Sequence, residues 1–113
     1  MSERLRAELS RVRADGGRGA EHAETALGDG PMRQRIESSI RALAEHRGPS
    51  SSTCPSDAAR AVGGDHWREL MDDTRAAARR LARSGAVEIM QRGRIVDPDG
   101  DWSGPIRIRA CGP

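Results

Sequence analysis

The chain has 113 residues, with 19 basic and 17 acidic side chains and a formal net charge of +2. Hydrophobic residues make up 35% of the sequence, no Phe or Tyr is present, and two residues are Trp. This composition allows one domain with a core of small aliphatic side chains. It excludes a disulfide framework, because two cysteines cannot form one, and a membrane span, because no run approaches about 20 apolar residues.

Residues 2–14 are predicted to form a short amphipathic helix, in which Leu5, Leu9 and Val12 recur at helical spacing before Gly16-Gly17. Three apolar residues cannot hold such a helix alone in water, so this stripe must dock on something. One hypothesis is that it pairs two copies of the chain as a homodimer. The charged start has no apolar stretch typical of a secretory signal, so we expect a cytoplasmic protein.

Residues 15–31 are rich in Gly, Ala and charged residues. This composition predicts a flexible tether, with at most a single helical turn near Ala20–Leu27. We therefore divide the chain into an N-terminal segment, residues 1–31, and a folded domain, residues 32–113.

The folded domain is predicted to begin at Pro31, a residue suited to the first helical position. Its first helix carries the apolar stripe Ile36, Ile40 and Leu43 and ends at Gly48-Pro49. The following loop is expected to contribute one β-bridge at most. A second helix begins at Cys54-Pro55 and is broken by Gly63-Gly64.

A third helical stretch is predicted from Asp65 to Ser84-Gly85, with a kink near residues 71–73. Its expected core face is made of Trp67, Leu70, Thr74, Ala77, Ala78 and Leu81. Alternation then replaces the helical period at Val87–Gln91 and at Ile106–Arg109, which predicts two strands joined by a long loop. The fold class is therefore mainly α with a small β-hairpin (α+β): a winged helix-turn-helix of three helices and a C-terminal wing.

Four segments of this domain resemble a known bacterial family. They are CPSDAAR at Cys54–Arg60, WRELM at Trp67–Met71, QRGRIVDP at Gln91–Pro98 and GPIRIR at Gly104–Arg109. In this order they are similar to the domain of unknown function thirty-two fifty-three, which is regarded as winged-helix-like. The resemblance implies the fold, and it transfers no catalytic residue because the family carries no established activity.

Positive charge is concentrated at Thr74–Arg94, a segment that contains six arginines and one acidic residue, Glu88. Four of them lie on the third predicted helix, on the side away from its core stripe: Arg75, Arg79, Arg80 and Arg83. Like charges at helical spacing destabilise a helix by roughly 0.2–0.5 kcal/mol per pair. A DNA phosphate backbone would offset that cost, and in a helix-turn-helix this is the recognition helix.

An ordinary solvated helix face is the alternative. Asp72 and Asp73 begin this helix and arginines end it, which is the arrangement that the helix dipole prefers. Arg92 and Arg94 complete the predicted patch, because Gly93 permits a tight turn that projects both side chains from a wing tip. Arg107 and Arg109, on the outward side of the last strand, are expected to face solvent.

The remaining candidates favour structural roles. Trp67 is predicted to be a core residue, whereas Trp102 either caps the hairpin or is an exposed contact. Cys54 precedes a helix, where a thiol can become reactive, but it more often caps the helix and packs inward. No zinc-ligand spacing occurs among the His and Cys residues, and the run from Asp97 to Asp101 lacks the later ligands of a calcium loop, so it is predicted to be a turn.

The sequence thus predicts a non-enzymatic protein without a cofactor that binds double-stranded DNA, as a small transcriptional regulator does. The six predicted contacts are Arg75, Arg79, Arg80, Arg83, Arg92 and Arg94. The alternative is a winged-helix module that binds a protein partner through the same arginine face or through the Leu5/Leu9/Val12 helix. The decisive expectation is that the six arginines share one water-facing surface.

Overall fold

Five α-helices precede a three-stranded antiparallel sheet in residues 2–111, the part that the computed structural model describes (for Ser2, the backbone alone). The helices are α1 (Ser2–Asp15), α2 (Ala20–Leu27), α3 (Met32–Arg47), α4 (Pro55–Gly63) and α5 (Met71–Arg83), with a 3₁₀ helix at Gly64–Leu70. The strands are β1 (Val87–Gln91), β2 (Arg94–Ile95) and β3 (Arg107–Ala110), in the spatial order β2-β1-β3. The mainly α, α+β class predicted from the sequence is confirmed.

The apolar stripe of α1 is buried inside the chain. Leu5, Leu9 and Val12 are at most 1% exposed, and α1 packs against α2, α3 and α4. The sequence-based reason for a homodimer through this helix is therefore wrong, because the stripe already has its partner. The same burial removes it as a surface for a protein partner.

The segment expected to be a tether contains helix α2. Ala23 and Ala26 on this helix are fully buried and belong to the same hydrophobic core as α1 and α3. The Nε of Arg35 donates a hydrogen bond of 2.9 Å to the carbonyl of Ala26 near the end of α2. The tether prediction is thus wrong for these residues, because small alanine side chains let α2 lie close to α3. A domain boundary after residue 31 stays a prediction.

Helices α3 and α4 form as their sequence punctuation predicts. Gly48 follows α3 with a φ of 80°, a left-handed value that favours glycine, and Pro55 begins α4. Between them, Thr53 forms an isolated antiparallel bridge with Ile108 of β3. This bridge confirms the one expected in the loop and ties the helices to the sheet.

The third predicted helix is divided just before the kink expected near residues 71–73, because residues 64–70 form the 3₁₀ helix and α5 begins at Met71. Gly64 has a φ of 57° and a ψ of −129°, a conformation that residues with a Cβ rarely adopt, so the glycine pair allows the sharp turn. Four residues predicted for the core face of α5 are buried: Thr74, Ala77, Ala78 and Leu81. Leu70 packs partly against the core, whereas Trp67 is half-buried and stands apart from the hydrophobic core cluster.

The sheet follows the alternation of its strands. Val87 and Ile89 of β1 and Ile108 of β3 point into the core, while Glu88 lies opposite Arg109 on the other face. The two-residue strand β2 was not expected. It pairs Gln91 with Arg94, so that a two-residue turn at Arg92-Gly93 joins β1 to β2. Within the described residues, no helix combines the length and the apolar character needed to cross a membrane.

Candidate nucleic-acid interface

The arginines of α5 hold the loop between β2 and β3 (residues 96–106). Nη1 of Arg79 donates hydrogen bonds to the carbonyls of Pro98 at 2.7 Å and of Gly100 at 2.9 Å. Its guanidinium carbon also lies 3.9 Å from the ring centroid of Trp102. One turn earlier, Arg75 lies 5.0 Å from the same centroid and donates to the carbonyl of Gly104 at 3.3 Å. Both side chains are therefore ordered by the loop.

The other two arginines of α5 pair with carboxylates from distant parts of the chain. Arg80 contacts Glu37 of α3 at 2.7 Å, and Nε of Arg83 donates a hydrogen bond to Asp99 in the β2–β3 loop. The four α5 arginines among the six expected to share one water-facing surface thus already have acceptors within the chain, and their role as DNA contacts stays a prediction. Their acceptors lie 16 to 43 residues away in the sequence, where helical spacing gives no sign of them.

Trp102 caps the hairpin, which was one of its two predicted roles. Its indole N–H donates to the carbonyl of Asp97 at 2.9 Å, and its ring packs partly against the hydrophobic core. The N–H of Gly100 also donates to Asp97, which confirms that the acidic run is a turn. The loop is therefore held by the indole of Trp102 and by the guanidinium groups of Arg75 and Arg79 from α5.

The tip of the β1–β2 hairpin carries the other two predicted arginines. Arg92 and Arg94 are exposed, and neither guanidinium forms a hydrogen bond or ion pair with the residues that the structure describes. Arg92 has a φ of 54°, whereas a residue in this left-handed region is usually Gly, Asn or Asp. Next to them, Ile95 is 58% exposed. The tip thus projects two cations and an aliphatic side chain into water.

Backbone and side-chain contacts connect this tip with α5. The side-chain amide of Gln91, at the end of β1, donates to the carbonyl of Ser103. The neighbouring residue Gly104 accepts the hydrogen bond from Arg75. The hairpin tip, the β2–β3 loop and the exposed side of α5 are therefore one connected surface, which we call the hairpin surface.

A second arginine cluster was missed in the sequence. The guanidinium carbons of Arg60, at 4.3 Å, and of Arg68, at 4.6 Å, both lie over the Trp67 ring. The prediction that Trp67 is a core residue is wrong, because its helical spacing is interrupted at the 3₁₀ helix. Arg60 lies seven residues before Trp67 and Arg68 lies one residue after it, a spacing that matches no standard motif. The only sign in the sequence that Trp67 leaves the core face was the glycine pair before it.

A buried ion network joins α1, α3 and α4. Arg47 contacts Glu8 at 2.8 Å and Asp57 at 3.2 Å, and the Thr53 hydroxyl donates to Asp57 at 2.9 Å. Burial raises the pKa of Asp57, but hydrogen bonds from Thr53 and Cys54 and the charge of Arg47 outweigh it and lower that pKa. The hydrogen bond to Glu8 raises the pKa of Arg47. This network locks the helices and lies apart from the hairpin surface.

The remaining polar candidates have local partners. Cys54 is half-buried with its Sγ 3.0 Å from the hydroxyl of Ser56. Of the two arginines expected to face solvent on β3, Arg107 is exposed and donates to Ser52. Arg109 is half-buried and pairs with Glu88 at 2.7 Å, so that prediction is wrong for Arg109. Because these side chains have local partners, the hairpin tip is the strongest candidate on the hairpin surface for binding a nucleic acid.

Comparison with known proteins places most of the chain in one family. The family described as Protein of unknown function (DUF3253) matches residues 33–111, from α3 to the end of β3. No curated protein matches the chain. Because the match spans more than half of its residues, the chain belongs to the DUF3253 family of proteins of unknown function.

Proposed function

We infer that the protein is a non-enzymatic DNA-binding protein with a winged-helix fold, acting in the cytoplasm as a small transcriptional regulator. Three features support the winged-helix assignment. Helices α4 and α5 are joined by a sharp bend at Gly64 and the short 3₁₀ helix, an antiparallel hairpin follows α5, and Thr53 between α3 and α4 pairs with the last strand. In a helix-turn-helix, the second helix of the pair lies in the major groove, and this helix is α5.

The hairpin tip is the observation that carries the proposal. Arg92 and Arg94 are exposed without an acidic partner among the described residues, and Arg92 occupies a backbone conformation that Asn or Gly would adopt at lower cost. The unfavourable backbone conformation of Arg92 supports a binding role for its side chain. A narrow minor groove attracts arginine in this way, and phosphates bind its N–H groups.

Helix α5 adds a smaller electrostatic contribution. The side chain of Arg83 is 50% exposed and makes one hydrogen bond, to Asp99. A guanidinium has five N–H donors, so Arg83 keeps donors for a phosphate. Asp72 and Asp73 are exposed at the start of α5 and oppose phosphate there. Among the side chains of α5 itself, we therefore expect Arg83, in the C-terminal half beside the hairpin, to contact phosphate, and Asp72 and Asp73 not to.

The test is a salt series of DNA binding with the double variant Arg92→Asn/Arg94→Gln. Affinity for a short fluorescein-labelled duplex is measured by anisotropy. Loss of two phosphate contacts should make the slope of log affinity against log salt shallower by about 1.8, at roughly 0.9 per phosphate. The same variant should be more stable to urea by about 1 kcal/mol, because Asn suits the left-handed position.

Arg11→Ala/Arg13→Ala is the matched control. Both arginines are exposed on α1 and have no hydrogen-bond or ion-pair partner within residues 2–111, so this variant should bind as the wild type does. Unchanged binding by the hairpin variant, or no salt dependence in the wild type, would contradict the proposal. Binding of an acidic protein through the same tip, without DNA binding, would support the interaction-module alternative instead.

A further inference from the structure

The Arg60–Trp67–Arg68 cluster has the features of a second anion-binding surface. Trp67 lies in the 3₁₀ helix that leads directly into α5, and Arg60 reaches its ring from α4. The indole is half-buried, and unlike Trp102 and Leu70 it does not pack against the hydrophobic core. Its two neighbours over the ring are guanidinium groups.

Stacking holds these guanidinium groups without using their donors. A guanidinium that lies over an aromatic ring is attracted by the face of the ring, so this contact occupies none of its N–H groups with an oxygen acceptor. Arg79 differs, because it lies over Trp102 but its Nη1 also donates hydrogen bonds to the carbonyls of Pro98 and Gly100. In the described part of the chain, neither Arg60 nor Arg68 has a hydrogen-bonded acceptor.

Acidic residues lie near the pair without forming an ion pair with it, and Glu3 of α1 lines the same cleft as Arg60. Asp65 and Glu69 lie in the same 3₁₀ helix, and Glu69 contacts the ring nitrogen of His66 at 3.1 Å. No carboxylate of the described residues lies within 4.0 Å of a nitrogen of Arg60 or Arg68. The cluster therefore presents two cations whose side chains are already ordered, which lowers the entropy lost when they bind an anion.

We propose that Arg60 and Arg68, held on the ring of Trp67, bind backbone phosphates of DNA beside the N-terminal end of α5. This inference rests on the proposed DNA binding and names a second contact for it. In helix-turn-helix proteins the N-terminal end of the recognition helix faces the bases, so residues that adjoin it lie near the phosphates bordering the groove. The cluster occupies that end of α5, while the hairpin surface adjoins the rest of the helix.

The test compares Arg60→Gln/Arg68→Gln with the wild type and with Arg92→Asn/Arg94→Gln on one labelled duplex. We expect the slope of log affinity against log salt to become shallower by about 1.8 in each double variant, at roughly 0.9 per phosphate. The effect of Arg60→Gln/Arg68→Gln should be equal for duplexes of different sequence, since phosphate contacts carry no base information. Arg11→Ala/Arg13→Ala again serves as the control.

Trp67 gives an independent measurement with both arginines intact. In a Trp102→Phe background, Trp67 is the remaining indole, and its emission should change when DNA draws the guanidinium groups to phosphates. A Trp67→Phe protein, which reports Trp102 alone, is its matched control.

Two results separate the hypotheses. Full binding with an unchanged slope in Arg60→Gln/Arg68→Gln, together with constant Trp67 emission at saturating DNA, overturns the second contact and leaves the proposed function standing. Absence of binding by the wild type overturns both.

Discussion

Asp57 illustrates how single side chains acquire a role from residues that are distant in sequence. The residue is 8% exposed, and its carboxylate has Thr53, Cys54 and Arg47 as partners. These partners keep it charged, because an unpaired buried carboxylate would otherwise be strongly destabilising. Arg47 also binds Glu8, so ion pairs connect the three helices α1, α3 and α4.

Asp57→Asn should reduce stability near neutral pH by about 1–3 kcal/mol, the cost of disrupting a buried charged hydrogen-bond network. Because the pKa of Asp57 is lower in the folded protein than its ordinary value of 3.8, the ionised group stabilises the fold above that value. Its contribution is lost as pH falls through the folded pKa. Urea unfolding at several pH values should therefore show a smaller acid-induced loss in the variant. Parallel curves for both proteins would contradict this account.

At the level of elements, the β2–β3 loop is held mainly through its backbone. Arg79 binds the carbonyls of Pro98 and Gly100, and its guanidinium stacks on Trp102. The like charges along α5 are therefore separated by acceptors from the loop, which reduces the repulsion expected from helical spacing alone. Loop and helix thus depend on one another for their conformation.

Arg79→Ala should destabilise the protein by about 2 kcal/mol, since it removes two hydrogen bonds and a cation–π contact. Amide hydrogen exchange should accelerate in the loop before it does in α5. Arg83→Ala is the comparison, because a half-exposed ion pair is worth roughly 0–1 kcal/mol. Equal effects of the two substitutions would mean that the loop is not held through Arg79.

Elements of this fold are predictable where the signal is local. Ile36, Ile40 and Leu43 marked one face of α3, and Gly48 and Pro55 marked the ends of α3 and α4. Pairing between elements is less predictable, because the acceptors of the α5 arginines are backbone carbonyls, which every residue has. Arg79 therefore looked like a surface cation in the sequence. At the hairpin, by contrast, Gly93 placed Arg92 and Arg94 on a tight turn that the structure contains.

For the molecule as a whole, α1 is part of the core. The family match begins at residue 33, yet Leu5, Leu9 and Val12 are buried in the same cluster as the matched helices. A core without Phe or Tyr relies on small aliphatic side chains. Each buried leucine or valine therefore supplies a substantial share of the apolar area that the core buries. We therefore expect the unmatched N-terminal helices to contribute to the stability of the matched region.

Leu9→Ala should lower the free energy of unfolding by about 2–5 kcal/mol, the range for deleting a buried leucine side chain. The change should appear in one cooperative transition, with α1 and the sheet melting together when followed by circular dichroism and by the fluorescence of the two tryptophans. Arg11→Ala, on the exposed side of the same helix, should leave the transition within about 0.5 kcal/mol of the wild type. Separate transitions would show that α1 is an independent unit.

Because the β2–β3 loop is fixed through the carbonyls of Pro98, Gly100 and Gly104, its conformation depends little on several of its own side chains. Asp101 and Ser103 are exposed, and Ser103 contributes its carbonyl to the hydrogen bond from Gln91. These two positions can therefore vary while the scaffold beneath them stays constant. Homologues are expected to diverge there first.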